Sequence, residues 1–359
     1  MRAQDSAAAL PDADERRAAA VPVREVARSR DDSLFSDITS IATDSRGRIY
    51  VGDWMAARVV VLDSGAALVR TLGRKGLGPG EFRSVRGLQV LNGDSLLVYD
   101  PNAGRLSVFA PDAAPPAYVV NLGGSPFLVE RVPGSDAFVS LTRPPFTPDA
   151  TSERRDEVRV LDAAGRPQGE PLRTYPSKSF IRVQQGRGYS VMPNPFGREG
   201  FAVAGGEGRV HLAWGDSLAV ESTDLQGRRV GGFAVAFQPN PVVAEDVQAA
   251  AGDLPPQMAN SFRGALRDSV PPRWPAIRAL LADADGRIWI ALGGPMGGMS
   301  EWARFTPEGR YLGSVFLPAD VEVKAVRGKR MYAVARDEMD VPRVVVYEFD
   351  AQSPAGTAE

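Results

Sequence analysis

Short apolar runs alternate with polar, glycine-containing turns along most of the chain. The clearest set places strands at residues 41–43, 48–53 and 58–63, followed by a turn at Gly65 and a fourth strand that ends at Leu72. Alternating apolar and polar positions over a few residues predict half-buried β-strands. We interpret this set of four as one four-stranded antiparallel sheet.

The set of four strands recurs at a fixed period. In the second copy Val98 takes the place of Tyr50, 48 residues later. A period of ~40–50 residues is typical of the blades of a β-propeller. Later copies centre on residues 137–139, 210–212, 288–290 and 331–333. The sequence therefore predicts an all-β fold, a six-bladed β-propeller of four-stranded blades.

The last copy has only three predicted strands, whereas residues 21–26 form an unassigned apolar run at the other end of the chain. A single blade cannot bury both its faces, so the blades must stack and the ring must close. We expect residues 21–26 to supply the missing outer strand. The predicted domain plan is a disordered tail at 1–20, one propeller at 21–350 and a disordered tail at 351–359.

One junction between blades resembles that of a known repeat family. The segment Gly73 to Phe82, ending Gly76-Leu77-Gly78-Pro79-Gly80-Glu81-Phe82, is similar to the junction of NHL repeats, and residues 44–53 fit the preceding part. The likeness is strong over 38–110 and partial over 277–317. Ala56 and Ala103 stand where the family usually has Asn. The resemblance implies a six-bladed propeller and does not specify a function.

Composition and charge narrow the function classes. With 42 Lys+Arg against 44 Asp+Glu, the chain lacks the positive field that nucleic-acid binding needs. The chain has no cysteine, and its single histidine, His211, excludes multi-histidine metal sites and is expected to be structural. No run approaches the ~20 apolar residues of a membrane span. We expect neither a nucleic-acid partner nor a membrane span, and we expect a monomer.

The N-terminal residues bear on localisation. They lack the apolar segment of a signal peptide, but Arg2-Ala3-Gln4 is compatible with the trace of a cleaved signal. We expect an extracytoplasmic protein, periplasmic or secreted.

All long insertions are predicted on one face of the propeller, the face that carries the loops between second and third strands and the junctions between blades. They comprise residues 142–156, 171–200, 238–275 and 293–300. Long loops carry function more often than stability, which favours a single working face, although neutral loop growth gives the same pattern. Residues 242–251 and 257–266 have helical apolar spacing. They predict a small helical insertion (238–275) between blades 4 and 5, either a lid over the tunnel or a cover for the rim.

Candidate binding residues lie on this face. Arg86 and Arg278 are suited to bidentate contacts with a carboxylate or phosphate, or they are solvated rim charges. Asp53 is either a site residue or a partner of local backbone. Exposed aromatic residues next to arginine are typical of binding sites. The candidate set is Trp54, Arg86, Arg278, Trp274, Trp302, Asp53 and Lys324, with Phe146, Tyr189 and Phe196 as further aromatics on the same face.

These residues favour a non-catalytic binding or scaffold protein that recognises a peptide, protein or glycan on the insertion-rich face. The alternative is a calcium-dependent lactonase or other hydrolase with its site in the central tunnel. Calcium takes six to eight oxygen ligands, and the sequence shows no convergent set of carboxylates. No catalytic residue and no cofactor is predicted, with calcium left open.

Overall fold

The computed structural model describes residues 8–29, 34–113, 115–144, 154–186, 188–252, 254–295 and 298–350. The N-terminal segment contains β1 (Ala8–Ala9), α1 (Ala13–Ala18) and β2 (Val23–Arg28). Blade 1 follows with β3 (Ile38–Thr43), β4 (Ile49–Asp53), β5 (Arg58–Leu62) and β6 (Leu68–Leu72). Blade 2 consists of β7 (Gly87–Val90), β8 (Leu96–Asp100), β9 (Arg105–Phe109) and β10 (Tyr118–Asn121).

The remaining four blades are interrupted by two insertions. Blade 3 consists of β11 (Leu128–Arg131), β12 (Phe138–Thr142), β13 (Arg155–Leu161) and β14 (Pro167–Pro176), and a hairpin of β15 (Phe180–Gln185) and β16 (Gly188–Pro193) follows. Blade 4 consists of β17 (Gly200–Ala204), β18 (Val210–Trp214), β19 (Ala219–Thr223) and β20 (Arg229–Ala236), before α2 (Ala244–Ala249) and α3 (Pro256–Leu266). Blade 5 consists of β21 (Ile277–Ala282), β22 (Ile288–Leu292), β23 (Met299–Phe305) and β24 (Tyr311–Pro318). Blade 6 consists of β25 (Glu322–Arg327), β26 (Arg330–Arg336), β27 (Pro342–Phe349) and β2.

The six sheets form a closed ring, which confirms the predicted six-bladed β-propeller. The innermost strands contact one another in the order β3, β7, β11, β17, β21, β25 and back to β3. Closure comes from β2, which pairs antiparallel with β27 and places Val23 opposite Phe349. The outer strand of blade 6 therefore comes from the start of the chain, two residues beyond the predicted 21–26. Within the described ranges, no helix is long and apolar enough to cross a lipid bilayer.

Each interface between neighbouring blades contains its own apolar core. In β4, Ile49 and Val51 face blade 6, whereas Tyr50, between them, faces blade 2. This is the two-residue period of a strand buried on both faces. Six such clusters fill the six interfaces, and a seventh lies in the insertions. The ring is thus held together mainly by burial of alternating Val, Ile, Leu and aromatic side chains.

The described part of the predicted N-terminal tail is ordered, which corrects the expectation of disorder at 1–20. Strand β1 pairs in parallel with β20, and α1 lies against β24 with a capping box between Asp12 and Glu15. Arg16 is 6% exposed. The polar composition of this segment predicts disorder because the segment has no apolar pattern of its own. It is ordered by contacts with blades 4 and 5, which are in place only when the ring has assembled. Residues 1–7 and 351–359 lie outside the described ranges.

Candidate ligand-binding face

In several blades one extra residue stands near the start of the innermost strand. Pairing between the first two strands skips Thr39 in blade 1, Arg278 in blade 5 and Lys324 in blade 6. Directly before β7, the N–H of Arg86 donates to the carbonyl of Tyr99 at 3.0 Å, which gives blade 2 the same arrangement. A bulge of this kind re-aims a side chain. The extra residue is Arg86 in blade 2 and Arg278 in blade 5, and both stand at the insertion-bearing end of the tunnel wall. Blades 2 and 5 are opposite each other in a ring of six.

Arginine and aromatic side chains alternate across blades 1 to 3 on this face. The guanidinium carbon of Arg86 lies 5.8 Å from the ring centre of Trp54 and 4.1 Å from that of Phe127. Arg143 lies 3.7 Å from the centre of the same Phe127 ring. We call Trp54, Arg86, Phe127 and Arg143 the guanidinium–aromatic stack. Each cation is attracted by the negative face of a ring, which fixes its orientation.

The two arginines of the stack differ in their partners. Arg143 forms ion pairs with Asp156 (3.2 Å) and Glu199 (2.5 Å), and Lys178 contacts the other oxygen of Glu199 at 3.0 Å. Burial raises the pKa of Asp156 above its ordinary value, against the effect of its hydrogen bond from the Ser177 hydroxyl. The charges of Arg143 and Lys178 are therefore balanced by the carboxylates of Asp156 and Glu199.

Arg86, in contrast, has no carboxylate within ion-pair distance in the part of the chain that the structure describes. Its Nε donates to the carbonyl of Phe127 at 2.8 Å. Burial lowers the pKa of the Arg86 guanidinium from its ordinary value, and the nearby cation of Arg143 acts in the same direction. A partly buried cation without a counter-charge is stabilised by an incoming anion.

Arg278 repeats this situation on the opposite side of the tunnel. Its Nη1 donates to the Ser300 hydroxyl at 3.2 Å, and its guanidinium carbon lies 5.1 Å from the ring centre of Trp274. Burial lowers the pKa of Arg278, partly offset by the carboxylate of Asp246. Among the described residues, no carboxylate lies within 4.0 Å of it.

The two larger insertions form one structural unit, which we call the cap. It comprises the hairpin β15–β16 and the helices α2 and α3, and its apolar core includes Phe196, Phe262 and Trp274. Trp274 contacts Phe196 edge to face at 4.7 Å and donates its indole N–H to Asp246 at 2.9 Å. The helical insertion is thus as predicted, but the 171–200 insertion is mostly strand. The cap packs mainly on itself.

Other members of the candidate set are buried. Trp302 is 4% exposed in the core between blades 5 and 6, so its predicted place on the binding surface is wrong. Asp53 is fully buried and accepts hydrogen bonds from the backbone N–H groups of Ser36, Asp37 and Ala56. These bonds fix the chain that enters blade 1, which agrees with the structural interpretation of Asp53.

Lys324 lines the central tunnel, a cavity of about 520 Å³ that all six innermost strands contribute to. Its ammonium group contacts Glu322 at 2.5 Å. Trp274 is buried in the cap, with its ring against the guanidinium of Arg278, instead of facing solvent. Of the other predicted aromatics, Tyr189 is exposed, Phe196 is buried, and Phe146 lies outside the described residues.

His211 is structural, as expected. Its Nδ1 lies 2.7 Å from the Ser222 hydroxyl, and burial lowers the pKa of the imidazole to about 4. In the described ranges no three His, Cys, Asp or Glu side chains are close enough to hold a metal ion.

Sequence reasoning missed Phe127 and Arg143. Phe127 occupies in blade 3 the place of Arg86 in blade 2, since its N–H donates to the carbonyl of Leu141 at 2.7 Å. Blade 3 lies outside the regions where the repeat is strong or partial, so its sequence does not fix the register that reveals this equivalence.

No protein-family model matches the chain, and no curated protein matches it. Among solved structures it is similar to a putative exported protein from Bacteroides fragilis (10% identity, 92% of this chain and 95% of that chain, TM-score 0.50). It is also similar to a member of the DUF4221 family from Bacteroides vulgatus (12% identity, 92% and 98%, TM-score 0.52). A gluconolactonase from Xanthomonas campestris matches with 12% identity over 93% and 92% of the two chains, at a TM-score of 0.48. The class, a six-bladed β-propeller, is defined by the six sheets of this structure, and the first two likenesses agree with it. At such identities they show the fold alone.

Proposed function

We propose that this propeller is a non-catalytic recognition protein whose insertion-bearing face binds a carboxylate group of a peptide, protein or glycan. The observation that carries the proposal is the guanidinium of Arg86, held between the rings of Trp54 and Phe127 with no carboxylate partner in the described ranges. Aromatic rings cover its faces, so the N–H edge is the part left for a ligand. Planar guanidinium edges match carboxylates through two parallel hydrogen bonds.

The surroundings of Arg86 support recognition rather than simple solvation. Arg143 supplies additional positive charge, but its own carboxylate partners hold it in place. Arg278, on the opposite side of the tunnel, offers a second cation for a longer ligand with two acidic groups. Trp54 and Phe127 offer apolar faces of the kind that peptide side chains and sugar rings contact.

The test is binding of the purified protein to two matched probe sets: uronic-acid oligosaccharides beside their methyl esters, and acidic peptides beside their amidated forms. We expect one acidic set to bind, and Arg86→Gln to weaken that binding ~10–100-fold, since a hydrogen-bonded ion pair contributes about 1.5–3 kcal/mol. The matched control is Arg83→Gln, an exposed arginine three residues before Arg86 that is not a member of the stack. Equal binding of charged and neutral probes, or full binding by Arg86→Gln, would refute the proposal.

The calcium-dependent hydrolase has no comparable support. It would need several oxygen ligands converging on the tunnel, and the described residues provide no such cluster.

Three finer points belong to the same proposal. The junction at Gly73 to Phe82 supports an NHL-type repeat for blades 1 and 2. Arg2-Ala3-Gln4 supports export, which the genomic sequence upstream of the start would test. A monomer is expected because closure by β2 covers the outer edge of β27, and light scattering would test it.

A further inference from the structure

Neighbouring innermost strands are tied together by side chains that reach the last residue of the next strand. Gln89, the penultimate residue of β7, accepts the N–H of Arg131 at 2.7 Å and donates to the carbonyl of Arg131 at 2.9 Å. Arg327, at the end of β25, donates to the carbonyl of Thr43 at 2.8 Å. Arg131 and Thr43 are the last residues of β11 and β3. These bonds satisfy backbone groups that face the tunnel, where the innermost strand has no further neighbour in its own sheet.

Glu130 makes the equivalent contact between blades 3 and 4. It is the penultimate residue of β11, and its Oε2 accepts the N–H of Ala204, the last residue of β17, at 2.8 Å. The next N–H, that of Gly205, bonds Arg209 at 2.9 Å on the β18 side. In an antiparallel ladder the N–H and C=O of one residue point to the same side and alternate along the strand. Both polar backbone groups of Ala204 therefore face Glu130, as both groups of Arg131 face Gln89.

We propose that protonation of Glu130 controls a hydrogen-bonded contact between blades 3 and 4. In its protonated form the carboxyl group accepts the N–H of Ala204 and donates its O–H to the carbonyl of Ala204, which reproduces the two bonds of Gln89. When the proton leaves for water in the tunnel, the donated bond is lost. A carboxylate oxygen then stands opposite a carbonyl oxygen, and the contact between the two blades is weakened.

The surroundings of Glu130 are expected to place the loss of its proton near pH 7. Burial raises the pKa of Glu130 to about 7, against the smaller effect of the Ala204 N–H. Strands β7, β12 and β17, which pack against β11, contain no charged residue. The ring of His211 lies behind Gly205, and burial lowers the pKa of that ring to about 4. The charged residues that line the cavity of about 520 Å³ around Glu130 are Asp94, Asp283, Lys324, Arg327 and Glu130 itself.

The sign of the pH effect follows from linkage. A carboxyl group whose pKa is raised in the folded state contributes stability that is complete below its unfolded pKa. For Glu130 that contribution is lost as pH rises from about 4.5 through about 7. The gap between an ordinary value of 4.5 and about 7 corresponds to ~300-fold in the folding equilibrium constant. Glu130→Gln keeps both bonds at every pH. We expect it to match wild type at pH 4 and to exceed the wild-type equilibrium constant by up to that factor at pH 8, with the exposed Glu308→Gln as matched control.

A second measurement on the full-length protein does not depend on stability. The infrared difference spectrum between pH 6 and pH 9 should contain the C=O band of a protonated carboxyl group, and this band should be absent in Glu130→Gln. Absence of the band in wild type at pH 6 would overturn the proposal. So would a Glu130→Gln variant whose stability follows wild type from pH 5 to pH 8.

Discussion

Arg16, in the segment before the closing strand, and Glu301 of β23 form a buried two-pronged ion pair, with Nε–Oε1 at 2.7 Å and Nη2–Oε2 at 3.0 Å. Both ends are further satisfied, since Arg16 donates to the carbonyl of Pro11 and Glu301 accepts the hydroxyl of Ser314. The pair fastens the N-terminal segment to blade 5. The same segment adds a strand to blade 4 and completes blade 6.

Breaking this pair on one side should strongly destabilise the protein. Arg16→Ala leaves the Glu301 carboxylate buried without its cation, which costs about 3–5 kcal/mol. We expect urea denaturation to show this loss, whereas Arg17→Ala, at the exposed neighbouring position, should change the free energy of unfolding by less than about 0.5 kcal/mol. The double variant Arg16→Met with Glu301→Leu should recover much of the loss. Equal effects of Arg16→Ala and Arg17→Ala would contradict the assignment.

The fold was predictable from the sequence because blade cores depend on a local pattern. Apolar alternation at residues 48–53 and 58–63 sets which face each side chain occupies, and the short turns fix the register. Tyr50 and Val51 face opposite neighbours for this reason alone. The ion pair of Arg16 was not predictable, because its partner lies 285 residues away and is placed only by ring closure.

The candidate site was predictable only in part. The positions of Arg86 and Arg278 at the insertion-bearing end of the tunnel follow from the sequence, because each stands at the start of an innermost strand. Trp302 was assigned wrongly because an aromatic residue next to a loop has the same local pattern whether it faces solvent or the next blade. Burial at that position depends on blade 6, through residues such as Val323 and Tyr347.

Asp53 should prove a structural residue with no direct role in ligand binding. Asp53→Ala removes the acceptor for the N–H groups of Ser36, Asp37 and Ala56, and we expect a loss of about 3 kcal/mol in the free energy of unfolding. Asp53→Asn should lose less, since the amide keeps one acceptor oxygen. Denaturation combined with binding to the acidic probes separates the two roles. A fully stable Asp53→Ala protein that fails to bind would show that Asp53 belongs to the site.

The cap should unfold separately from the ring. Trp274→Ala removes the contact with Phe196 and the hydrogen bond to Asp246, a truncation that typically costs about 3–5 kcal/mol. Since the cap has its own apolar core, we expect amide hydrogen exchange to accelerate in α3 and β15 while blades 1, 2 and 6 keep wild-type protection. Trp302→Ala, in the core between blades 5 and 6, is the matched control and should raise exchange in those blades. Faster exchange throughout the ring in Trp274→Ala would show that cap and ring unfold together.

His211 should make the protein less stable as pH falls. Its folded pKa of about 4 lies below the ordinary 6.5, so the unfolded chain takes up the proton first. Stability should therefore fall between pH 6.5 and 4, by up to about 3 kcal/mol, and no further below that range. Glu130 titrates with the opposite sign over an overlapping range, so the two contributions largely offset each other in the wild-type profile. In His211→Asn, which keeps a polar group for Ser222, the contribution of Glu130 is no longer offset, and urea denaturation should show stability rising relative to wild type from pH 7 to pH 4.5. A variant whose stability follows the wild-type pH profile would mean that His211 is already protonated, or already solvated, in the folded protein.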